Sequence, residues 1–75
     1  MPESLKQKLE AAIRKEMEAQ QHYLAVVQSM MPFDAEGIEP PADAVAREED
    51  AYATLKDAQA AKQSILDALR RKMGR

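Results

Sequence analysis

Apolar and polar residues alternate along most of this chain with the period of an α-helix. In the first stretch, large apolar residues recur three or four positions apart, which predicts a helix over residues 4–31. Ser4 and Gln7 have the spacing of a capping box at its start. The apolar stripe consists of Leu5, Leu9, Ile13, Met17, Leu24, Val27 and Met31, and is widened by Ala12, Tyr23 and Met30.

The second stretch has a stricter pattern. Steps of three and four residues alternate without interruption, which is the heptad pattern of a coiled coil and predicts a helix over residues 41–73. The seam predicted for this helix contains six apolar and three polar residues: Val45, Glu48, Tyr52, Leu55, Gln59, Lys62, Leu66, Leu69 and Met73.

Residues 32–40 are predicted to form the turn between the two helices. Pro32 disfavours helical backbone at Met31, and Gly37 with the pair at 40–41 completes the break. Two long helices joined by a short connection are expected to fold back on each other. The chain is therefore predicted to be a single all-α domain over residues 1–75, an antiparallel helical hairpin.

The polar positions of the two helices are expected to meet inside this hairpin. If the chain folds at Gly37, facing residues have numbers that sum to about 75. We therefore predict a polar layer that fixes the helix register, because a paired charge in a seam is tolerated where an unpaired one is costly. Its members are Glu16 with Lys62 and Gln20 with Gln59. Glu48 has no basic partner in this scheme and faces Val27.

Two helices cannot enclose a core, so we predict a homodimer that forms a four-helix bundle. Small residues at intervals of seven flank each predicted seam and would let a second pair of helices approach closely. They are Ala12, Ala19 and Val26 in the first helix and Ala44, Ala51, Ala58 and Ile65 in the second. Two alternatives stay open: the alanines act only as good helix formers, or another helical protein takes the place of the second copy.

Charge is divided between the two ends of the predicted hairpin. Residues 32–50 hold seven acidic residues and one basic residue, a net charge of −6. Residues 1–10 and 62–75 together hold seven basic and three acidic residues, a net charge of +4. Two hairpins side by side are thus expected to run in opposite directions, with each acidic turn beside the basic ends of the other.

Composition narrows the possible functions. The chain has no cysteine and one histidine, and it contains no glycine-rich phosphate loop and no nucleophile with a plausible His–carboxylate pair. We expect no catalytic residues, no cofactor and no enzyme activity. It also lacks an apolar run long enough for a membrane span or a signal peptide, which favours a cytoplasmic protein without membrane association. A net charge of −2 argues against general nucleic-acid binding.

The function that we predict is protein–protein interaction, as an adaptor, a chaperone-like subunit or a regulator. The expected partner surface consists of Tyr23, Met30, Met31, Phe33 and Tyr52, since methionine and aromatic side chains suit apolar recognition. One alternative is an RNA-binding hairpin that uses the basic end at Arg70, Arg71, Lys72 and Arg75. Another is a metal site in which a dimer gathers Glu16 and Glu48. His22 follows Glu18 by four residues, one more than the Glu-x-x-His motif of di-iron bundles requires.

Overall fold

The computed structural model of the chain describes residues 4–74. Two helices, α1 (Leu5–Ala35) and α2 (Ala42–Met73), pack against each other. Their contacts show the direction of packing: Tyr23 of α1 bonds to Glu48 of α2, and the earlier Glu16 bonds to the later Lys62. Because the residue number falls along one helix as it rises along the other, the helices are antiparallel. The predicted all-α hairpin is confirmed.

The start of α1 is fixed by a capping box, as predicted. The Ser4 hydroxyl accepts a hydrogen bond from the Gln7 backbone N–H at 3.1 Å, and the Ser4 N–H donates to Gln7 Oε1 at 3.0 Å. These two bonds satisfy backbone donors that the first turn of a helix leaves without partners.

The predicted end of α1 at residue 31 is wrong, because the helix continues through Pro32 to Ala35. Its stop is a Schellman motif. Gly37 has a positive φ of 70°, the Gly37 N–H donates to the Asp34 carbonyl, and the Ile38 N–H donates to the Phe33 carbonyl at 2.8 Å. A proline removes one helical donor, whereas the left-handed glycine reverses the chain, so the glycine decides where the helix ends.

Helix α2 begins one residue later than predicted, with Pro41 as its extended N-cap residue, and ends at Met73. The carbonyl of Pro41 accepts the first backbone bonds of the helix, from Ala44 and Val45. Arg70, Arg71 and Lys72 lie in the last turn. The partial negative charge of a helix C-terminus stabilises cationic side chains at this place. Arg75, the remaining member of the predicted basic end, lies outside the described residues.

Small side chains fill the contact between the helices. The five buried apolar residues among those described are Ala12, Ala19, Ala44, Ala51 and Leu55. They belong to a seam in which every residue is buried or half-buried and steps of four and three alternate. In α1 the seam is Leu5, Leu9, Ala12, Glu16, Ala19, Tyr23, Val26, Met30 and Phe33; in α2 it is Ala44, Glu48, Ala51, Leu55, Ala58, Lys62, Ile65 and Leu69.

This seam corrects the one predicted from the sequence. Four of the nine positions predicted for α2, such as Leu55 and Lys62, lie in the observed seam. Four others are displaced by one residue, since Ala44 and Ala51 are buried where Val45 and Tyr52 were expected. The alanine columns therefore do not form a second, outward seam. Alanine at every seventh position lets two helix axes approach to the short end of the usual range of about 8–10 Å.

Candidate partner-binding face

One side of the hairpin is apolar and exposed. We call the columns beside the seam on this side the apolar face. They include six residues of α1 and α2 that are at least two-fifths exposed: Ile13, Met17, Leu24, Met31, Tyr52 and Met73. Met17, Leu24 and Met31 are exposed by 54%, 51% and 61%. The half-buried Val27, Val45 and Leu66 lie in the same columns. Exposed apolar side chains grouped on one side of a small protein make that side a candidate interaction surface.

The opposite side of the seam has a different chemistry. Its grooves are lined by alanines together with polar and charged residues of both helices, namely Lys15, Glu18, His22, Arg47, Asp50, Thr54 and Asp57. In an antiparallel pair each flank of the seam is built from equivalent columns of the two helices. The side that faces His22 is thus polar on both helices, and the side that carries Leu24 is apolar on both.

The shape of the molecule shows how much surface is left uncovered. The chain measures 56 × 24 × 16 Å, with a radius of gyration of 17.0 Å, whereas a compact domain of this length would have about 11 Å. Its accessible surface is 6096 Å², against about 4,600 Å² for a compact monomer of the same mass. The difference of about 1,500 Å² for one chain exceeds the roughly 800 Å² that each partner buries in a standard protein–protein interface.

Glu16 and Lys62, predicted as partners in the polar layer, form an ion pair across the seam. The Lys62 Nζ donates to Glu16 Oε1 at 2.8 Å, and the two side chains are 30% and 17% exposed. The same structure leaves Gln20 and Gln59 unpaired within the described chain. Both amides are exposed, and no hydrogen bond joins them. The polar layer inside the hairpin therefore consists of the ion pair alone.

Glu48 has a partner that the sequence did not suggest. The Tyr23 hydroxyl donates to Glu48 Oε2 at 2.9 Å. This hydrogen bond to the carboxylate, with partial burial and the negative charge of Glu48, raises the pKa of Tyr23 above its ordinary value. The Tyr23 ring also contacts Tyr52, with centroids 5.6 Å apart, and the Lys56 ammonium lies 5.4 Å from the Tyr52 centroid. The seam position of Glu48 is thus satisfied within the hairpin.

The predicted partner surface is divided by the structure. Met31 and Tyr52 are exposed on the apolar face. Tyr23, Met30 and Phe33 are half-buried in the seam. Ile13, Met17 and Leu24 were expected in the seam and are exposed instead. A heptad count with alanine treated as a core residue would have placed them correctly, because both alanine columns then define the contact.

The two carboxylates considered for a metal site have different partners. Glu16 accepts a hydrogen bond from Lys62, and Glu48 accepts one from Tyr23. Within residues 4–74, no three histidine, aspartate or glutamate side chains form a group that could hold a metal ion. Neither helix is long and apolar enough to cross a membrane.

The ion pair gives a direct test of the register device. Lys62→Met alone leaves the Glu16 carboxylate half-buried without a partner, so we expect it to destabilise the fold more than the double change Lys62→Met with Glu16→Leu. Urea unfolding of the unchanged chain, the two single variants and the double variant gives the coupling free energy of the pair, which we expect to be about 1 kcal/mol. We also expect the double variant to keep its helix content but to unfold less cooperatively. Unchanged mass and cooperativity in that variant would contradict a register role.

No protein-family model matches this chain, and comparison with curated proteins and with solved structures gives no significant match.

Proposed function

We propose that this chain is a non-enzymatic protein–protein interaction module that works as a homodimer. Two hairpins pack their apolar faces together and form an antiparallel four-helix bundle. The exposed apolar face carries the proposal, because Met17, Leu24 and Met31 are each more than half exposed in the single chain. A hairpin whose buried apolar side chains, among the described residues, are four alanines and one leucine gains little from its own core. A second copy supplies the missing cover.

The choice of a second copy as the occupant follows from symmetry and area. The unburied excess of about 1,500 Å² is enough for a stable interface. A copy of the same chain brings an apolar face of equal length, and burying it leaves the polar side, with Lys15 and His22, in solvent. Bundles assembled from two hairpins in this way are a common solution for small helical chains.

Charge favours the antiparallel arrangement of the two hairpins. The turn region over residues 32–50 carries −6, and the sequence ends carry +4. A parallel arrangement would bring two acidic turns together, whereas an antiparallel one places each turn beside basic residues such as Arg70 and Lys72 of the other copy. Complementary charge of this kind selects the orientation more than it adds affinity.

Within a cell, such a bundle would bring other proteins together as an adaptor, a chaperone-like subunit or a regulator. Met31 and the half-buried Met30 and Phe33 lie near the turn end of each hairpin, at the outer end of the proposed interface. Soft side chains at such a place can adapt to an apolar partner.

The mass in solution tests the dimer. We expect light scattering to give twice the chain mass of 8.4 kDa across micromolar concentrations, and we expect thermal unfolding to shift upward with protein concentration, since association stabilises the folded state. A well-folded monomer over the same range, with an unfolding midpoint independent of concentration, would overturn the proposal.

A further inference from the structure

We propose that a groove at the turn end of the hairpin binds a basic amphipathic helix of another protein. The apolar residues of that helix lie in the groove, and its lysines or arginines lie beside the acidic turn. This inference rests on the proposed role as a protein–protein interaction module, and it names the class of partner that the turn end recognises.

The groove lies between the two helices near the turn, is open along one side and has a volume of about 360 Å³. We call it the turn-end groove. Its apolar lining is Tyr23, Val27, Met30 and Met31 of α1, and its acidic lining is Asp34 of α1 and Glu48 of α2. An open groove of this kind cannot enclose a small molecule as ligand pockets do. It can take the side chains of a helix laid across it, and flexible methionines adapt to such a partner.

The surroundings of the groove are strongly acidic. Residues 32–50 contain seven acidic residues and a single basic one, Arg47, and carry a net charge of −6. The two ion pairs found among residues 4–74 both lie outside this segment. The seven carboxylates therefore have no ion-pair partner within the described part of the chain.

Two of these carboxylates face the groove with free acceptor oxygens. Glu48 Oε2 accepts the hydrogen bond of the Tyr23 hydroxyl at 2.9 Å. Among residues 4–74, neither Glu48 Oε1 nor the Asp34 carboxylate takes part in a hydrogen bond. These oxygens can accept charge-assisted hydrogen bonds from a lysine or an arginine of a partner.

The backbone around the groove favours a helical partner over an extended one. Both walls of the groove belong to helices, α1 and α2, whose peptide groups bond within the helix. The described residues contain no strand to which an extended peptide could add. A helix satisfies its own backbone bonds and presents its apolar side chains in one stripe, so it requires only the side-chain contacts that the groove provides.

Charge decides which helix is bound. A net charge of −6 around the groove attracts lysine and arginine and repels an acidic helix, a nucleic acid or an anionic lipid surface. The basic end of a second copy has the same chemistry as the proposed partner. Its net charge of +4 does not balance the turn region, however, so the turn region stays acidic in the proposed dimer and attracts a further basic helix.

Fluorescence anisotropy with a labelled synthetic peptide tests the proposal. The peptide is an amphipathic helix of about 18 residues, five helical turns, with leucine along one side, lysine on both flanks and alanine elsewhere. We expect a dissociation constant of about 10 μM. An otherwise identical peptide with glutamate in place of lysine should bind at least about 100-fold more weakly. Binding of neither peptide, or equal binding of both, would overturn the proposal.

Two pairs of variants locate the bound peptide. Asp34→Lys should weaken binding at least about tenfold, whereas Glu18→Lys makes the same change of charge on the polar side and should change it less than about twofold. Met31→Ser should weaken binding about fivefold. Met73→Ser changes a methionine that is 80% exposed at the opposite end of the hairpin and should have no effect. Equal effects within either pair would overturn the groove as the binding site.

Light scattering on the same samples separates this result from the homodimer. A monomer of 8.4 kDa that binds the basic peptide with these preferences would overturn the homodimer and support the groove. A dimer that does not bind the peptide would overturn the groove alone. Binding that appears only after Arg70→Glu with Arg71→Glu would show that the basic end of a second copy occupies the groove, and it would also overturn the proposal.

Discussion

Ala51→Leu is expected to destabilise the hairpin by about 1–3 kcal/mol, the usual cost of inserting a larger side chain into a packed contact. Ala51 is 3% exposed and lies in the alanine column of α2, where the two helices meet. A leucine there has no space unless the helix axes move apart, and that movement would also loosen neighbouring contacts such as that of Leu55. For a chain of this length, the loss is a large part of a total stability of about 4–11 kcal/mol.

Ala53→Leu is the matched control for this prediction. Ala53 lies two residues away on the exposed face of the same helix. The substitution therefore changes helix propensity by the same amount as Ala51→Leu, but the leucine does not enter the seam. Urea unfolding followed by circular dichroism, at one protein concentration, should show a clear loss for Ala51→Leu and almost none for Ala53→Leu. Equal midpoints for the two variants would mean that the alanine column is not the helix–helix contact.

The seam also shows what could and could not be predicted from the sequence. Periodicity was sufficient for two helices, their antiparallel pairing and the Glu16–Lys62 ion pair. It failed to choose between two adjacent columns, because both repeat every seven residues and the larger side chains seemed the natural core. In a pair of helices the closest contact excludes large residues, so Ala44 and Ala51 are inside and Tyr52 is 46% exposed.

The end of α1 was missed for a related reason. Pro32 is a strong local signal against helix, because it lacks a backbone donor and its ring crowds the preceding turn, yet the helix continues to Ala35. The helix ends at a Schellman motif, in which the Gly37 N–H donates to the Asp34 carbonyl at 3.1 Å and the Ile38 N–H donates to the Phe33 carbonyl at 2.8 Å. It could have been found by testing Gly37 as the residue after the helix end.

Residues of the apolar face could be identified as apolar from the sequence, but not as exposed. Ile13, Met17 and Leu24 lie one column away from the seam, and an error of one residue in the heptad moves them from the outside of the hairpin to its core. The structure reverses their expected role, and it leaves Gln20, expected in the polar layer, exposed. Burial in this hairpin depends on the distance between the two helices, and that distance cannot be predicted from the periodicity of one helix.

The double change Met17→Glu with Leu24→Glu is expected to dissociate the proposed dimer. If the two apolar faces pack together as proposed, the four carboxylates of the two copies would be buried without cationic partners. Each such charge costs several kcal/mol in an apolar interface. We therefore expect the dissociation constant to rise by more than about 100-fold, with the mass falling to the 8.4 kDa of one chain.

The control adds the same charge on the outer face of α1, as Gln21→Glu with Gln28→Glu, both at exposed positions. Light scattering should give the dimer mass for the control and the monomer mass for Met17→Glu with Leu24→Glu. We also expect the monomer to lose helix signal on warming well before the control does, since it retains only the narrow alanine seam. If both variants remain dimers of equal stability, the interface does not include the apolar face; if both dissociate, added negative charge rather than the position of the charge is responsible.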